Sequence, residues 1–310
     1  MTYPWLEAVA AEFADRLRAE RMAHAVLLSG PTGLGKTELA RGFLASVLCL
    51  EEVWPACGTC RSCQLLRSGA HPEGHVLTFE AHPKKDELRK ELVIEQVRRL
   101  TSALQLTNTV SRRKAALIYP AESLNANAAN ALLKTLEEPP GDAVMILVSH
   151  NTSRLPATVR SRCQNLDVRL PDAEVAIPWL IEAAAVPEAD AVLALEAAAG
   201  SPLRARQMLA EDALAAYRSL GEILDALRAG RCETAAAMET LMAVEPESLW
   251  AWLSLRAANE TRASLGEAGL ARTLARLQLE ADRNRRLLPT PVRKDLLLQD
   301  WLIQWARLSA

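Results

Sequence analysis

The chain has 310 residues, half of them hydrophobic, so it can bury more than one separate core and need not be a single domain. Its 36 basic and 38 acidic side chains leave a net charge of only -2, which excludes a whole-molecule pull toward nucleic acid or membrane and leaves any such contact to local patches. No apolar run approaches the ~20 residues of a membrane span, and residues 1–13 carry Glu7 and Glu12 with no basic leader, so a soluble, cytoplasmic protein is expected.

The first clear element is the apolar run at residues 23–29, which reads as a buried strand and ends at Gly30-Pro31-Thr32-Gly33-Leu34-Gly35-Lys36-Thr37. Residues 38–50 follow with helical spacing. Strand, glycine loop and helix in that order form a phosphate-binding loop, in which Gly30, Thr32, Gly33 and Gly35 belong to the cradle of backbone N–H groups. Lys36 would reach the β and γ phosphates of ATP or ADP, and the Thr37 hydroxyl would ligate Mg2+. The structural alternative is a loop kept for tight turning alone.

Next come Cys49, Cys57, Cys60 and Cys63, in the pattern C-x7-C-x2-C-x2-C. Four thiolates close a tetrahedral Zn2+ site with no open position, so the metal would be structural and would supply folding free energy to a segment with little core of its own. A cluster of free or redox-active thiols is the alternative. Cys163 and Cys232 stand apart and read as small buried apolar side chains. His71, His75 and His82 lie among Pro72, Gly74 and Pro83, and we expect them to be exposed loop residues.

Lys84, Lys85, Arg89, Lys90, Arg98, Arg99, Arg112, Arg113 and Lys114 make residues 84–114 the most basic stretch. Interleaved Glu87, Glu91 and Glu95 favour a solvated helix face over DNA contact, and no aromatic residues are placed there to stack bases. Residues 93–106 and 125–138 read as helices, and residues 114–119 and 143–149 as buried parallel strands. The expected class is therefore an α/β P-loop fold, a parallel sheet with helices on both faces.

A motor built on this fold needs a carboxylate at the end of the strand beside the loop, to organise Mg2+ and the attacking water. That strand instead runs Ala116-Leu117-Ile118-Tyr119-Pro120, so nucleotide can be held while hydrolysis is expected to be silent. The competing reading is an autonomous ATPase that uses another carboxylate such as Glu122. Ser161-Arg162-Cys163 follows the last strand; Arg162 either caps a helix or pairs with a carboxylate, or is offered across a subunit boundary as an arginine finger. From residue 170 onward the composition turns to Ala, Leu, Glu and Arg with helical periodicity, no further strand of quality is expected, and Gly200-Ser201-Pro202 interrupts the helices once. Trp250, Trp252, Trp301 and Trp305 are interface anchors or core residues.

These features together resemble the delta-prime family of bacterial DNA polymerase III clamp-loader subunits, which belong to the AAA+ proteins. The match is carried by Tyr3-Pro4-Trp5-Leu6, His24-Ala25, the glycine loop, the four-cysteine insertion, the block from Asn125 to Pro140 with Lys134-Thr135-Leu136-Glu137-Glu138-Pro139-Pro140, and Ser161-Arg162-Cys163. The resemblance implies an AAA+ nucleotide-binding domain at 1–169 with an inserted zinc module at 49–63, a helical lid at 170–209 and a helical collar at 210–310 used for oligomerisation. It further implies a stator without catalysis of its own, acting within a DNA-directed DNA polymerase holoenzyme. Its partners would be gamma/tau and delta subunits in a heteropentameric ring that loads the sliding clamp onto primed DNA, with Arg162 set against the neighbour's ATP. A gamma/tau-like motor subunit is the alternative, disfavoured by Tyr119-Pro120 where motors carry Asp-Glu. The phosphate-sensing arginine of motor subunits is one place out of register at Arg204.

Overall fold

The computed structural model describes residues 3–82, 87–211 and 213–308. Two compact units form, residues 1–175 and 176–310. In the first, helix α1 (Glu7–Arg18) precedes strand β1 (Ala25–Ser29), and the glycine loop leads into α2 (Lys36–Leu48). A short α3 (Arg61–Arg67), β2 (Gly74–Leu77), α4 (Ile94–Gln105), β3 (Lys114–Ile118), α5 (Ala126–Glu137), β4 (Ala143–Ser149), the single-turn α6 (Ala157–Arg160) and β5 (Gln164–Asp167) follow. All the strands run parallel in one five-stranded sheet of order β2-β3-β4-β1-β5.

Because successive side chains of a strand point to opposite faces, the apolar runs of β1, β3 and β4 divide between two cores. Val26, Leu28, Ala115, Leu117, Val144, Ile146 and Val148 pack under α1 and α2, where Phe13 stacks on Phe43. Ala25, Leu27, Ala116, Ile118, Met145 and Leu147 pack on the other face against Leu100 and Leu104 of α4 and Leu132 and Leu136 of α5. Burial on both faces is what makes these central strands continuous apolar runs, and each fully buried Leu contributes roughly 1.5–3 kcal/mol.

The placing of Ser161-Arg162-Cys163 after the last strand is corrected by β5, and the expectation of a loop around His75 by β2. Both are edge strands, four residues long, with only Leu77 and Leu166 buried. An edge strand covered on part of its surface needs no apolar run, so period and hydrophobicity fail together.

The second unit is entirely helical among its described residues: α7 (Ala173–Ala184, reaching back just across the boundary), α8 (Glu188–Ala197), α9 (Pro202–Ala210), α10 (Ala213–Arg228), α11 (Thr234–Leu241), α12 (Pro246–Ala263), α13 (Ala268–Leu287) and α14 (Lys294–Ala306). One cluster, including Ala176, Leu180, Ala191 and Ala205, joins α7, α8 and α9. A larger one joins α10 to α14 around Leu224, Leu253, Leu277 and the tryptophans. Trp250, Trp252, Trp301 and Trp305 are all buried, and the indole N–H groups of Trp301 and Trp305 donate to the carbonyls of Leu277 and Leu224 at 2.9 and 3.0 Å. These four rings are core, and the polar edges of Trp301 and Trp305 are satisfied as burial requires.

Candidate nucleotide and metal sites

The glycine loop opens at the carboxyl end of β1, the edge where parallel α/β sheets bind ligands. Gly30 has φ +141°, and a Cβ there would lie 2.0 Å from the Val168 carbonyl oxygen. Gly35, the N-cap of α2, has φ +80°, and a Cβ there would enter the Tyr3 ring at 2.3 Å. Both positions therefore require glycine. The aromatic N-terminal segment braces the loop from behind, with the Trp5 indole N–H donating to the Leu34 carbonyl at 2.9 Å and its ring stacked on Tyr3.

Lys36 is almost wholly buried, and its ammonium donates to the Pro31 carbonyl within the loop. Burial pushes its pKa down to about 8, against the opposing pull of the Glu122 carboxylate. The N-terminus of a long helix, a cradle that a Cβ would obstruct and a partly desolvated ammonium form a fitting receptor for a nucleotide's phosphates. Gly30, Thr32, Gly33, Gly35, Lys36 and Thr37 would hold them.

At the neighbouring strand end, β3 stops at Ile118 and the chain passes through Tyr119 and a cis Pro120. The Tyr119 hydroxyl accepts from Arg41, whose guanidinium lies 5.3 Å from the ring centre. The strand end thus carries no carboxylate, as read from the sequence. One arrives from beyond it, on the 3-10 turn Ala121–Ser123, where Glu122 Oε1 accepts the His150 backbone N–H at 3.0 Å. Glu122 Oε2 and His150 Nδ1 are both buried and without a hydrogen-bond partner among the described residues. Burial, with the Lys36 charge adding to it, pushes the His150 pKa down. The sequence offers Glu122 as an alternative carboxylate; what the strand-end pattern does not reveal is its contact with the His150 backbone.

Arg162 follows α6. Its Nε donates to Glu137 Oε1 at 2.7 Å and its Nη1 to the Thr158 carbonyl at 2.8 Å, while about a third of the side chain stays exposed. Glu137 closes α5 within the Lys134-to-Pro140 block, so the two blocks read separately along the chain meet in space. Beneath them Cys163 packs on the second face's core, and burial pushes its thiol up to about 12. That agrees with its reading as an inert apolar side chain. Cys232 packs on the helical core in the same manner.

The four cysteines converge. Cys49 caps the C-terminus of α2, Cys60 caps the N-terminus of α3, and all four Sγ atoms lie within 4.8 Å of one another. Cys49 to Cys60 and Cys57 to Cys63 are each 4.0 Å, against ~3.8 Å for the edge of a tetrahedron with a Zn–S bond of about 2.3 Å. Backbone N–H groups of Cys57, Cys60 and Cys63 point at the sulfurs of Cys49, Cys57 and Cys60 at 3.4–3.5 Å. Hydrogen bonds from Thr59 and Cys60 lower the Cys57 thiol to about 6, whereas burial raises Cys63 to about 12. The donor set fits Zn2+ held by Cys49, Cys57, Cys60 and Cys63.

Two expectations need correction. His71 is not an exposed loop residue; it is buried, with Nε2 against the Ser62 hydroxyl at 2.8 Å and the Ser111 hydroxyl at 3.2 Å. Both hydroxyls donate to the Leu48 carbonyl. Glu73 is buried beside it, and its carboxylate accepts the N–H groups of Thr109, Val110 and Ser111. Helix ends and a tight loop left these backbone groups in need of buried partners, which a residue-by-residue reading of Pro and Gly does not reveal. His75, on β2, is half-buried.

The basic stretch is also not one helix face. Pro83, Lys84, Lys85 and Asp86 lie outside the described residues; beyond them Arg89 N donates to the Glu80 carbonyl and His82 N to that of Glu87, an antiparallel pairing that uses the groups a helix would need. Arg98 and Arg99 are on α4, but Arg113 and Lys114 are buried, and Lys114 caps the C-terminal carbonyls Leu104 and Leu106. In the second unit Arg204 lines a cavity of about 570 Å³ with Met208, Leu220 and Trp252.

Residues 5–172, which contain the loop, the cysteines and Arg162, match the family described as "DNA polymerase III, delta subunit". The chain is 42% identical over 208 residues to DNA polymerase III subunit delta' of Pseudomonas aeruginosa, covering 66% of this chain and 61% of that one. It is 32% identical over 223 residues to the subunit delta' of Escherichia coli K12, covering 72% and 65%. It is also 32% identical over 167 residues to the DNA polymerase III subunit tau/gamma of Haemophilus influenzae, covering 54% of this chain and 23% of that one. The matches thus span less than two thirds of these relatives' lengths. No helix is long and apolar enough to cross a membrane among the described residues.

Proposed function

The chain belongs to the DNA polymerase III delta-prime family of AAA+ clamp-loader subunits, and from that premise we propose that it is the stator of a cytoplasmic clamp-loading ring. Its partners there are gamma/tau and delta subunits, and the ring places a sliding clamp on primed DNA. Residues 1–169 act as the nucleotide-binding domain, 170–209 as a lid and 210–310 as the oligomerising collar. Zn2+ on Cys49, Cys57, Cys60 and Cys63 has a structural role.

The observation that carries this reading is the state of Arg162. A guanidinium that is held on one side by Glu137 and a helix-turn carbonyl, yet partly open on the other, is pre-organised to meet a phosphate on another chain, where an arginine fork is favoured over a point charge. When ATP is bound by that neighbour, Arg162 would stabilise the charge that develops on the transferred phosphoryl group, a contribution of ~10³ to 10⁵ in rate. This chain's own loop holds nucleotide without turning it over, since Tyr119 and Pro120 stand where a motor carries the carboxylates that orient metal and water.

The test is a reconstituted ring with Arg162→Ala. ATP turnover at the site shared with the neighbour is expected to fall by about 10³-fold or more with the thermal transition of the isolated subunit unchanged, and an unaltered rate would remove the role. The autonomous-ATPase reading has one specific observation in its favour, the Glu122 carboxylate beside Lys36. Steady phosphate release by the isolated chain, abolished by Lys36→Met, would select it.

A further inference from the structure

We infer that Glu122 replaces the missing strand-end carboxylate as the acidic partner, with the Thr37 hydroxyl, for the Mg2+ of a nucleotide in the glycine loop. The inference rests on the reading of that loop as a nucleotide site and is independent of the role given to Arg162.

The geometry is specific. Ser29, the last residue of β1, pairs with Ser149, the last residue of β4. The glycine loop leaves one strand at that level and His150 leaves the other. Its backbone N–H fixes one oxygen of Glu122 at 3.0 Å, which holds the carboxylate at the strand-end level from which the loop departs. The other oxygen is buried without a partner among the described residues, and an unpaired carboxylate oxygen out of water is costly unless a cation or donor completes it. Lys36 is the cation it senses, but the Lys36 ammonium is engaged with the Pro31 carbonyl. Phosphates entering the cradle would draw that ammonium onto themselves, leaving the free oxygen of Glu122 and the Thr37 hydroxyl as hard oxygen ligands suited to Mg2+. A single carboxylate serves to hold the metal while leaving no second one to orient an attacking water, which agrees with binding without turnover.

Two effects of opposite sign follow for Glu122→Gln. Without Mg2+, the carboxylate repels incoming phosphates, so its neutral isostere should bind nucleotide as tightly as wild type or more tightly. With Mg2+, the wild-type chain should gain affinity and the variant should not. A side chain that merely capped the His150 N–H would lower both affinities together. The experiment titrates full-length, zinc-loaded chain with fluorescent ADP and ATP, in excess Mg2+ and after its removal. We expect Mg2+ to tighten binding to wild type by about tenfold or more, the scale of one charge-assisted contact, and to tighten binding to E122Q by less than about twofold.

An equal Mg2+ gain in wild type and E122Q overturns the inference, as does the absence of a gain in wild type. Should E122Q not fold, Glu122→Asp keeps the charge but withdraws it by one methylene. It is expected to keep metal-free binding and lose most of the gain, and a full gain there is equally contrary. If wild type binds no nucleotide under either condition, the nucleotide reading of the loop falls with it, whereas the Arg162 assignment stands or falls on ring turnover.

Discussion

The two ends of α2 are built as candidate ligand sites by opposite strategies. At the N-terminal end the cradle is made of backbone: glycines in conformations closed to other residues, Leu34 and Lys36 buried, and Tyr3 and Trp5 packed behind. At the C-terminal end the sulfur atoms of Cys49, Cys57, Cys60 and Cys63 face one another across a segment anchored in part by Trp54, set edge-on to Phe43 and Phe13. A site shaped by the core of the sheet exists before its ligand arrives, whereas a site shaped by side chains of a thinly packed segment depends on the ligand for its shape.

The widest expected gap between the two ends comes from removing zinc. Cys60→Ser, or a strong chelator, withdraws a binding free energy of about 10–16 kcal/mol at neutral pH. Elemental analysis should fall from one Zn2+ per chain to none, and hydrogen exchange should show lost protection across α3 while β1, β3 and β4 stay protected. A chelator-free protein with no zinc, or unchanged exchange in α3, would make the two ends alike.

A smaller effect separates the metal from the module's second anchor. The far side of the module is tied to the sheet by Ser62, His71 and Ser111, behind which Glu73 receives backbone N–H groups of the loop leading into β3. Burial alone would raise the Glu73 pKa, but the hydrogen bonds from Thr109, Ser111 and Val110 outweigh it and hold the carboxyl below its usual range. Glu73→Ala leaves those donors buried and unpaired, at a cost of about 3 kcal/mol or more. Urea unfolding should register that loss with zinc stoichiometry intact. A loss of zinc in this variant would mean that the network, and not the thiolates, shapes the metal site.

The smallest effect sharpens the nucleotide end. With the Lys36 pKa at about 8 in the free loop, the ammonium is charged at pH 7 and is progressively lost above pH 8, whereas bound phosphate retains it. Binding then takes up a proton, and nucleotide affinity should fall as pH rises past 8, by up to about tenfold per unit. Titrations at pH 7, 8 and 9 check the slope, and a flat profile would place the Lys36 pKa well above 9.

Much of this was legible in the chain because the physics involved is local. The glycine loop needs consecutive residues of fixed type, tandem C-x2-C steps already put thiolates within reach of one ion, and β1, β3 and β4 announce themselves because burial on both faces admits only apolar side chains. The edge strands β2 and β5 were illegible for the converse reason, as a strand with one free edge and partial cover tolerates His75, Gln164 and Asn165.

What the sequence by itself determined is therefore the set of parts whose constraint acts between near neighbours: the glycine loop, the four-cysteine cluster, the central strands and the change to a helical second half. Tertiary structure alone decided which distant groups face one another: Glu122 with Lys36, Arg162 with Glu137, Glu73 with the loop before β3, and the tryptophans with their own core. Charge and hydrogen bonding act over a few ångströms in space whatever the separation along the chain, so a carboxylate past the end of one strand acquires its partner only when the sheet sets that strand beside the others.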